Sequence, residues 1–147
     1  MTDIKLFEDL ECWKTAKSVR LFVAEITATL PNNEKYDLAD NMKRAARSCT
    51  RNIAEGYGRF HYQENIQFCR ISRGSMMELI DDLITCLDEE YISEARFMEG
   101  KALILKAIKI LNGYIAYLER AKANPPKSVS EPETIYNLTQ TSNNPIT

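Results

Sequence analysis

The sequence has few of the residues on which most catalytic sites depend. Its 147 residues include a single histidine, His61, and only five glycines and five prolines. Di-iron helical bundles need paired Glu-x-x-His motifs, so one histidine excludes them. The chain also lacks a Walker glycine loop, a dinucleotide-binding glycine pattern, a Cys-x-x-Cys pair and a nucleophile elbow near His61. We therefore expect a protein that is not an enzyme and that holds no metal or cofactor.

Long hydrophobic runs are missing as well. The most apolar stretch, residues 102–118, is interrupted by Lys106 and Lys109, which argues against a membrane span. The first residues show no basic region followed by an apolar stretch, so we expect no secretory signal and a cytoplasmic chain. Four widely spaced cysteines each fall within an apolar helical pattern, as reduced core thiols do: Cys12, Cys49, Cys69 and Cys86.

Apolar residues recur every three or four positions through most of the chain, and no stretch alternates with period two. The pattern predicts helices over about 8–30, 35–57, 63–90 and 93–122. Connections of only about three to six residues force long neighbouring helices to lie antiparallel. We therefore predict an all-α fold: an up-down-up-down four-helix bundle over residues 1–122. Residues 123–147 are rich in Ser, Thr, Asn and Pro and predict a disordered, flexible tail.

The fourth predicted helix carries more apolar surface than one core requires. Its first seam runs from Ile104 to Leu118, and a second lies beside it. At about 1.5 to 3 kcal/mol for each fully buried aliphatic side chain, exposing the second seam would cost several kcal/mol. We therefore expect a contact with another subunit, although flanking helices and the tail could also cover it. The second seam consists of Leu103, Ala107, Ile110, Tyr114 and Tyr117.

Charge is distributed unevenly along a chain whose net charge is only -2. Residues 43–73 carry seven basic side chains against two acidic ones, whereas residues 74–99 carry eight acidic side chains against one arginine. Because arginine suits phosphate geometry, a basic face on helices 2 and 3 could bind RNA or DNA. The basic side chains could instead pair with the acidic stretch of a neighbouring helix or of a neighbouring subunit. The candidates are Lys43, Arg44, Arg47, Arg51, Arg59, Arg70 and Arg73, and three nearby aromatic residues could stack on unpaired bases: Tyr57, Phe60 and Tyr62.

Several spaced motifs carry a resemblance to a known family. They are Phe7-x-x-Leu10-x-x-Trp13, Pro31-x-x-Glu34-x-Tyr36-x-Leu38, Ser48-x-x-x-Asn52-Ile53-Ala54-Glu55-Gly56 with Gly58-Arg59, and Gly74-Ser75-x-x-Glu78-Leu79. Over residues 6–120 the chain resembles the bacterial 23S rRNA intervening-sequence proteins. That family is similar in fold to the accessory variability proteins of diversity-generating retroelements, which form five-subunit barrels, bind nucleic acid and partner a reverse transcriptase. The resemblance implies a homopentamer, and it leaves an accessory subunit of a reverse transcriptase as the alternative to nucleic-acid binding.

The motif residues also suggest structural roles. Gly56 would allow a left-handed end to the second helix. Gly74, inside the third helix, would allow another backbone to approach closely. A partly buried amide at Asn52 must find partners, and we expect a polar network near the subunit boundary with Arg47 or Arg73. Its members would be Asn52, Glu55 and Glu78.

Overall fold

The computed structural model describes residues 6–125, in which four long helices follow one another. They are α1 (Glu11–Thr29), α2 (Leu38–Tyr57), α3 (Tyr62–Asp88) and α4 (Glu94–Ala123). Each helix packs against the next, and α4 returns to α1, so the four close around one core. No strand occurs within the described range, and the predicted all-α four-helix bundle is confirmed. The predicted tail lies, from residue 126 onward, outside the described residues.

The core is built from the apolar stripe of each helix. Val19, Met42, Leu79, Leu83 and Ile104 are completely or almost completely buried. Burial of each such side chain contributes roughly 1.5 to 3 kcal/mol to folding. Packing of the apolar stripes therefore stabilises the helices more than their intrinsic helix propensity does. All four cysteines are free and buried among them, as predicted.

The helix ends differ from the sequence prediction by a few residues. Both α1 and α2 begin three residues later than expected, because short 3₁₀ turns precede them, at Phe7–Asp9 and Asn32–Glu34. Before α2, Asp37 has φ -124° and ψ -100°, which lies outside the helical region and delays the helix. Ser93 caps the start of α4, since its hydroxyl accepts a hydrogen bond from the Arg96 backbone N–H at 3.1 Å.

The glycines do not act as the sequence suggested. None of the glycines in residues 6–125 has a positive φ, so the predicted left-handed end at Gly56 is wrong. The lack of a side chain at Gly56 instead lets α3 pack closely against α2, since a Cβ there would lie 2.8 Å from Asn65 Oδ1. At Gly74 a Cβ would meet nothing within 4 Å, so no backbone within residues 6–125 uses the space that we predicted for a close approach.

Gly100 and Gly113 of α4 provide a matched test of the packing. A Cβ at Gly100 would lie 2.6 Å from Phe22 Cε1 and 2.9 Å from Leu83 Cδ1, whereas one at Gly113 would meet nothing within 4 Å. We expect Gly100→Ala to lower the free energy of unfolding by about 1–3 kcal/mol, because the core must give way. Gly113→Ala should raise it by about 0.5–1 kcal/mol through helix propensity. Urea unfolding measures both values, and changes of the same sign would contradict the packing.

Candidate nucleic-acid interface

One side of α2 carries a row of cations. Lys43, Arg47 and Arg51 follow one another at four-residue spacing, about 6 Å apart along the helix axis, and all three are exposed. No carboxylate within residues 6–125 forms an ion pair with any of them. We call these three residues the α2 cation row. Their positive charge is available to a ligand because the chain's own described carboxylates do not neutralise it.

The groove between α1 and α2 adds a fourth cation, Arg20. Its Nη1 donates a hydrogen bond to Thr50 Oγ1 at 2.9 Å, which fixes the half-buried guanidinium against α2. Arg20 and Thr27 line a cavity of about 100 Å³ together with Lys43 and Arg47 of the row. The cavity therefore brings together three cations, whose N–H groups suit phosphate oxygens, while the Thr27 hydroxyl already donates to the Ala24 carbonyl at 3.1 Å.

Arg20 was not among the residues predicted from the sequence. It lies between Val19 and Val23 of the apolar stripe of α1, and a single charged residue there forms no basic pattern in the sequence. The signal was the short connection between the first two helices. An antiparallel pair joined by a few residues places position 20 opposite position 50, and so beside the basic side of α2.

The other four predicted binding residues are already engaged. Three of them form exposed ion pairs, which contribute at most about 1 kcal/mol each but lower the charge that a ligand would meet. Arg73 instead donates to a neutral amide oxygen and keeps its positive charge. Arg70 and Arg73 lie on the side of α3 that packs against α4, so the predicted single face on helices 2 and 3 is wrong. The contacts are Arg44 with Asp40 at 2.7 Å, Arg59 with Glu55 at 2.9 Å, Arg70 with Glu119 at 3.2 Å and Arg73 with the Asn112 amide oxygen at 2.8 Å.

The alternative pairing with the acidic stretch is not formed within the described chain. The carboxylate partners of the predicted basic residues are Asp40, Glu55 and Glu119, none of which belongs to residues 74–99. The one arginine within that stretch, Arg96, binds Glu25 at 2.5 Å and Glu99 at 2.9 Å. The pair with Glu25 joins α1 to α4 at the end of the bundle away from Arg51, and the pair with Glu99 lies within α4. Neither involves the α2 cation row, which has no ion pair within residues 6–125.

The predicted polar network takes a different form. Asn52 Nδ2 donates to the Ser48 carbonyl at 2.9 Å and to the Ser48 hydroxyl at 2.8 Å, and the Ser48 and Ser75 hydroxyls share a hydrogen bond at 2.8 Å. Glu55 binds Arg59 at the end of its own helix instead, and the exposed Glu78 side chain forms no hydrogen bond with any residue of the described range. The prediction that Asn52, Glu55 and Glu78 form one network is therefore wrong. Neutral hydroxyls link α2 to α3 in its place.

The second seam of α4 is only partly available to another subunit. Ala107 is 0% exposed, so its predicted place in an oligomer interface is wrong. Tyr114 Oη accepts a hydrogen bond from Asn65 Nδ2 at 3.1 Å, and Leu103 and Ile110 pack against the core. Tyr117 remains 54% exposed. The outer part of the seam opens into a cavity of about 580 Å³ that we call the tyrosine pocket, lined by Asp9, Leu10, Glu11, Cys12, Tyr57, Ile110, Tyr114 and Tyr117.

A second apolar surface lies on the other side of α4, where no interface was predicted. The contacts of Arg70 with Glu119 and of Arg73 with Asn112 define the antiparallel register of α3 and α4. Continued along the bundle, this register places two exposed side chains of α3 beside two of α4. We call them the apolar stripe: Met77, Ile84, Met98 and Leu105, which are 40–56% exposed. A spacing of seven residues within each helix was the sequence signal.

The thiols, which are the most nucleophilic side chains of the described chain, are unreactive because they are buried. Burial raises the pKa of the Cys12, Cys49 and Cys69 thiols to about 12, so they stay protonated at neutral pH. Among residues 6–125 no cluster of three or more His, Cys, Asp or Glu side chains is arranged to hold a metal ion. Within the same range no helix has the length and apolar character needed to cross a membrane.

Asp82 of α3 makes the stability of the bundle depend on pH. Burial, with the neighbouring Asp81 and Glu78 carboxylates, raises the pKa of Asp82 from 3.8 to about 6. The folded chain therefore binds this proton more tightly than the unfolded chain, and stability falls as pH rises from 4 to 6. Asp82→Asn should raise the free energy of unfolding at pH 7 by about 1 kcal/mol, after discounting for solvent exposure. At pH 4 it should have little effect.

Urea unfolding at both pH values tests this expectation, with the exposed Asp88→Asn as the control variant. The control removes one negative charge from the same helix, so it measures the effect of net charge alone. A stabilisation by Asp82→Asn of equal size at pH 4 and pH 7 would show that titration of this carboxyl is not the cause.

Comparison with known proteins agrees with the architecture. Comparison with curated proteins finds no match. The family model described as 23S rRNA-intervening sequence protein matches residues 8–113, which include the whole of α1, α2 and α3 and about two thirds of α4. The α2 cation row, Arg20 and the apolar stripe all lie within the matched range. The match covers well over half of the sequence, and the chain therefore belongs to the 23S rRNA-intervening sequence protein family.

Proposed function

We propose that this chain is a non-enzymatic homopentamer that binds the phosphates of RNA or DNA through the α2 cation row and Arg20. The observation that carries the proposal is the group of cations that no carboxylate of residues 6–125 neutralises. The family description names 23S rRNA, so RNA is the first ligand to test. The phosphate contacts position the nucleic acid without reading its sequence.

The fold itself gives little reason for the row. Lys43, Arg47 and Arg51 bury little surface and stabilise no neighbouring carboxylate, whereas the like charges four residues apart on one helix repel each other by a few tenths of a kcal/mol. Side chains that cost stability and remain solvent-exposed are typical of a surface kept for a ligand. The chain is acidic overall, and a local patch is therefore the means by which it would attract a polyanion.

The pentamer would form from two different surfaces on the flanks of α4. A closed ring of five needs heterologous contacts, in which one patch of a subunit meets another patch of its neighbour. The apolar stripe lies on the α3–α4 side, and the tyrosine pocket lies on the α1–α4 side. Seating the stripe of one subunit against the pocket of the next would cover both of these exposed apolar surfaces.

The first experiment measures binding of the full chain to a structured RNA and to single-stranded DNA by fluorescence anisotropy. Four phosphate contacts on a single strand give a slope of about -2.8 in a plot of log affinity against log salt concentration. Affinity should therefore fall roughly 50-fold between about 50 and 200 mM salt. Binding that is insensitive to salt would contradict phosphate recognition.

Charge reversal locates the contacts. Lys43→Glu should weaken binding, and its plot of log affinity against log salt should be less steep by the equivalent of about one phosphate contact or more. The Arg47→Glu/Arg51→Glu double variant should weaken binding further. Lys106→Glu is the matched control, because Lys106 is an exposed lysine of α4 that forms no ion pair within residues 6–125. Equal losses from Lys43→Glu and Lys106→Glu would show that only net charge matters. If neither nucleic acid binds at low salt, the alternative of a protein-interaction scaffold or reverse transcriptase accessory subunit replaces the proposal.

The oligomer is tested by sedimentation and native mass spectrometry of the full chain. We expect five copies, and we expect Leu105→Glu in the stripe and Tyr117→Glu in the pocket each to give smaller species, because either change places a charge in the interface. Leu21→Glu is the control, since Leu21 is 53% exposed on α1 and belongs to neither surface. A monomeric wild-type chain would refute the pentamer, and a pentamer that tolerates both interface variants would refute these two surfaces.

A further inference from the structure

The turn between α2 and α3 contains a backbone conformation that its sequence does not favour. Phe60 has φ 51°, in the left-handed region that bulky side chains rarely adopt. Gly58, two residues earlier, could adopt it without strain, but its φ is -72°. Strain of this kind persists where the surrounding structure or a function maintains it. The position of the Phe60 side chain therefore needs a reason.

Packing in the core does not supply that reason. Phe60 is half-buried, as Tyr57 and Tyr62 on either side are, but it is not one of the half-buried side chains that pack against the core, whereas the two tyrosines are. The ring contacts Tyr57, with centroids 6.1 Å apart and planes at 57°. This tilted contact leaves part of the phenylalanine ring open to solvent. A strained residue thus leaves part of an aromatic ring open to solvent.

The displayed ring lies at the end of the α2 cation row. Arg51 is the last cation of the row and lines a cavity of about 320 Å³ with Ala54, Glu55, Gly58 and Arg59, immediately before Phe60. Arg59 is held in place by Glu55 at 2.9 Å and by the Phe68 ring, whose centroid lies 5.3 Å from the guanidinium carbon. Free positive charge, an open cavity and an aromatic surface therefore follow one another along the end of α2.

We infer that the α2–α3 turn is a base-stacking site, at which an unpaired base of RNA or DNA stacks on Phe60 while the adjoining phosphate lies against Arg51. The inference rests on the proposed function and narrows its ligand to single-stranded or bulged nucleic acid. Aromatic side chains stack on bases of any sequence, and such platforms beside basic grooves are how proteins hold single strands. In a continuous duplex the bases stack on one another and the ring has no free base to meet.

The test replaces the ring without disturbing the fold. Phe60→Asn suits the left-handed backbone, so its urea unfolding should occur at the same or a higher denaturant concentration. Its affinity for a single-stranded RNA should fall roughly 5- to 150-fold, the range for loss of one stacked base. Its salt slope should stay unchanged, because no phosphate contact is lost. Phe60→Trp should keep the affinity, and Tyr36→Asn, at a residue 85% exposed at the other end of α2, should not alter it.

A direct readout uses a single-stranded oligonucleotide that contains 2-aminopurine, whose fluorescence changes on stacking. Wild-type protein should change it and Phe60→Asn should not. If Phe60→Asn binds single strands as wild type does while Lys43→Glu is weakened, the stacking site is refuted and phosphate binding stands. A blunt duplex bound as tightly as a single strand of equal length would also refute the site. If wild type binds no nucleic acid at all, the proposed function itself fails.

Discussion

The burial of one stripe of α2 determines where the charge of this protein lies. Met42, Cys49 and Ile53 are completely buried, which fixes the rotation of the helix about its axis. With about 3.6 residues per turn, positions 43, 47 and 51 must then lie away from the core. Hydroxyl contacts with α3 fix the same rotation, since Ser72 Oγ donates to the Cys49 carbonyl at 2.7 Å. The position of the α2 cation row on the surface is thus a consequence of core packing.

Periodicity predicted the four helices and the basic side of α2, because both depend on neighbours within one helix. It could not predict which cations stay unpaired, because that depends on the register between helices. Arg70 meets Glu119 only because α3 and α4 run antiparallel with these two positions adjacent, 49 residues apart in sequence. The same limit applies to the second seam of α4. Tyr114 is covered because Asn65, also 49 residues away, binds its hydroxyl, and no pattern within α4 contains that information.

The turn after α2 shows a different limit of sequence reasoning. Glycine marks a left-handed position in most turns, so Gly56 and Gly58 suggested where the helix would end in that conformation. In the structure Gly56 allows α3 to approach, and the left-handed residue is Phe60. The expectation that a glycine marks a left-handed residue fails where the glycine is needed because a neighbouring helix leaves no room for a side chain. The positive φ then falls on an aromatic residue, Phe60.

The proposed ring also determines which helices a ligand would meet. The four helices surround the core in chain order, so α2 lies diagonally across from α4. If the stripe and the tyrosine pocket are the two interfaces, they flank α4, and closing five subunits through adjacent sides turns α4 toward the ring axis. The opposite corner, α2, then faces outward. Five copies of the α2 cation row, each ending at Phe60, would lie on the outer surface, where a long nucleic acid can approach without threading through a channel.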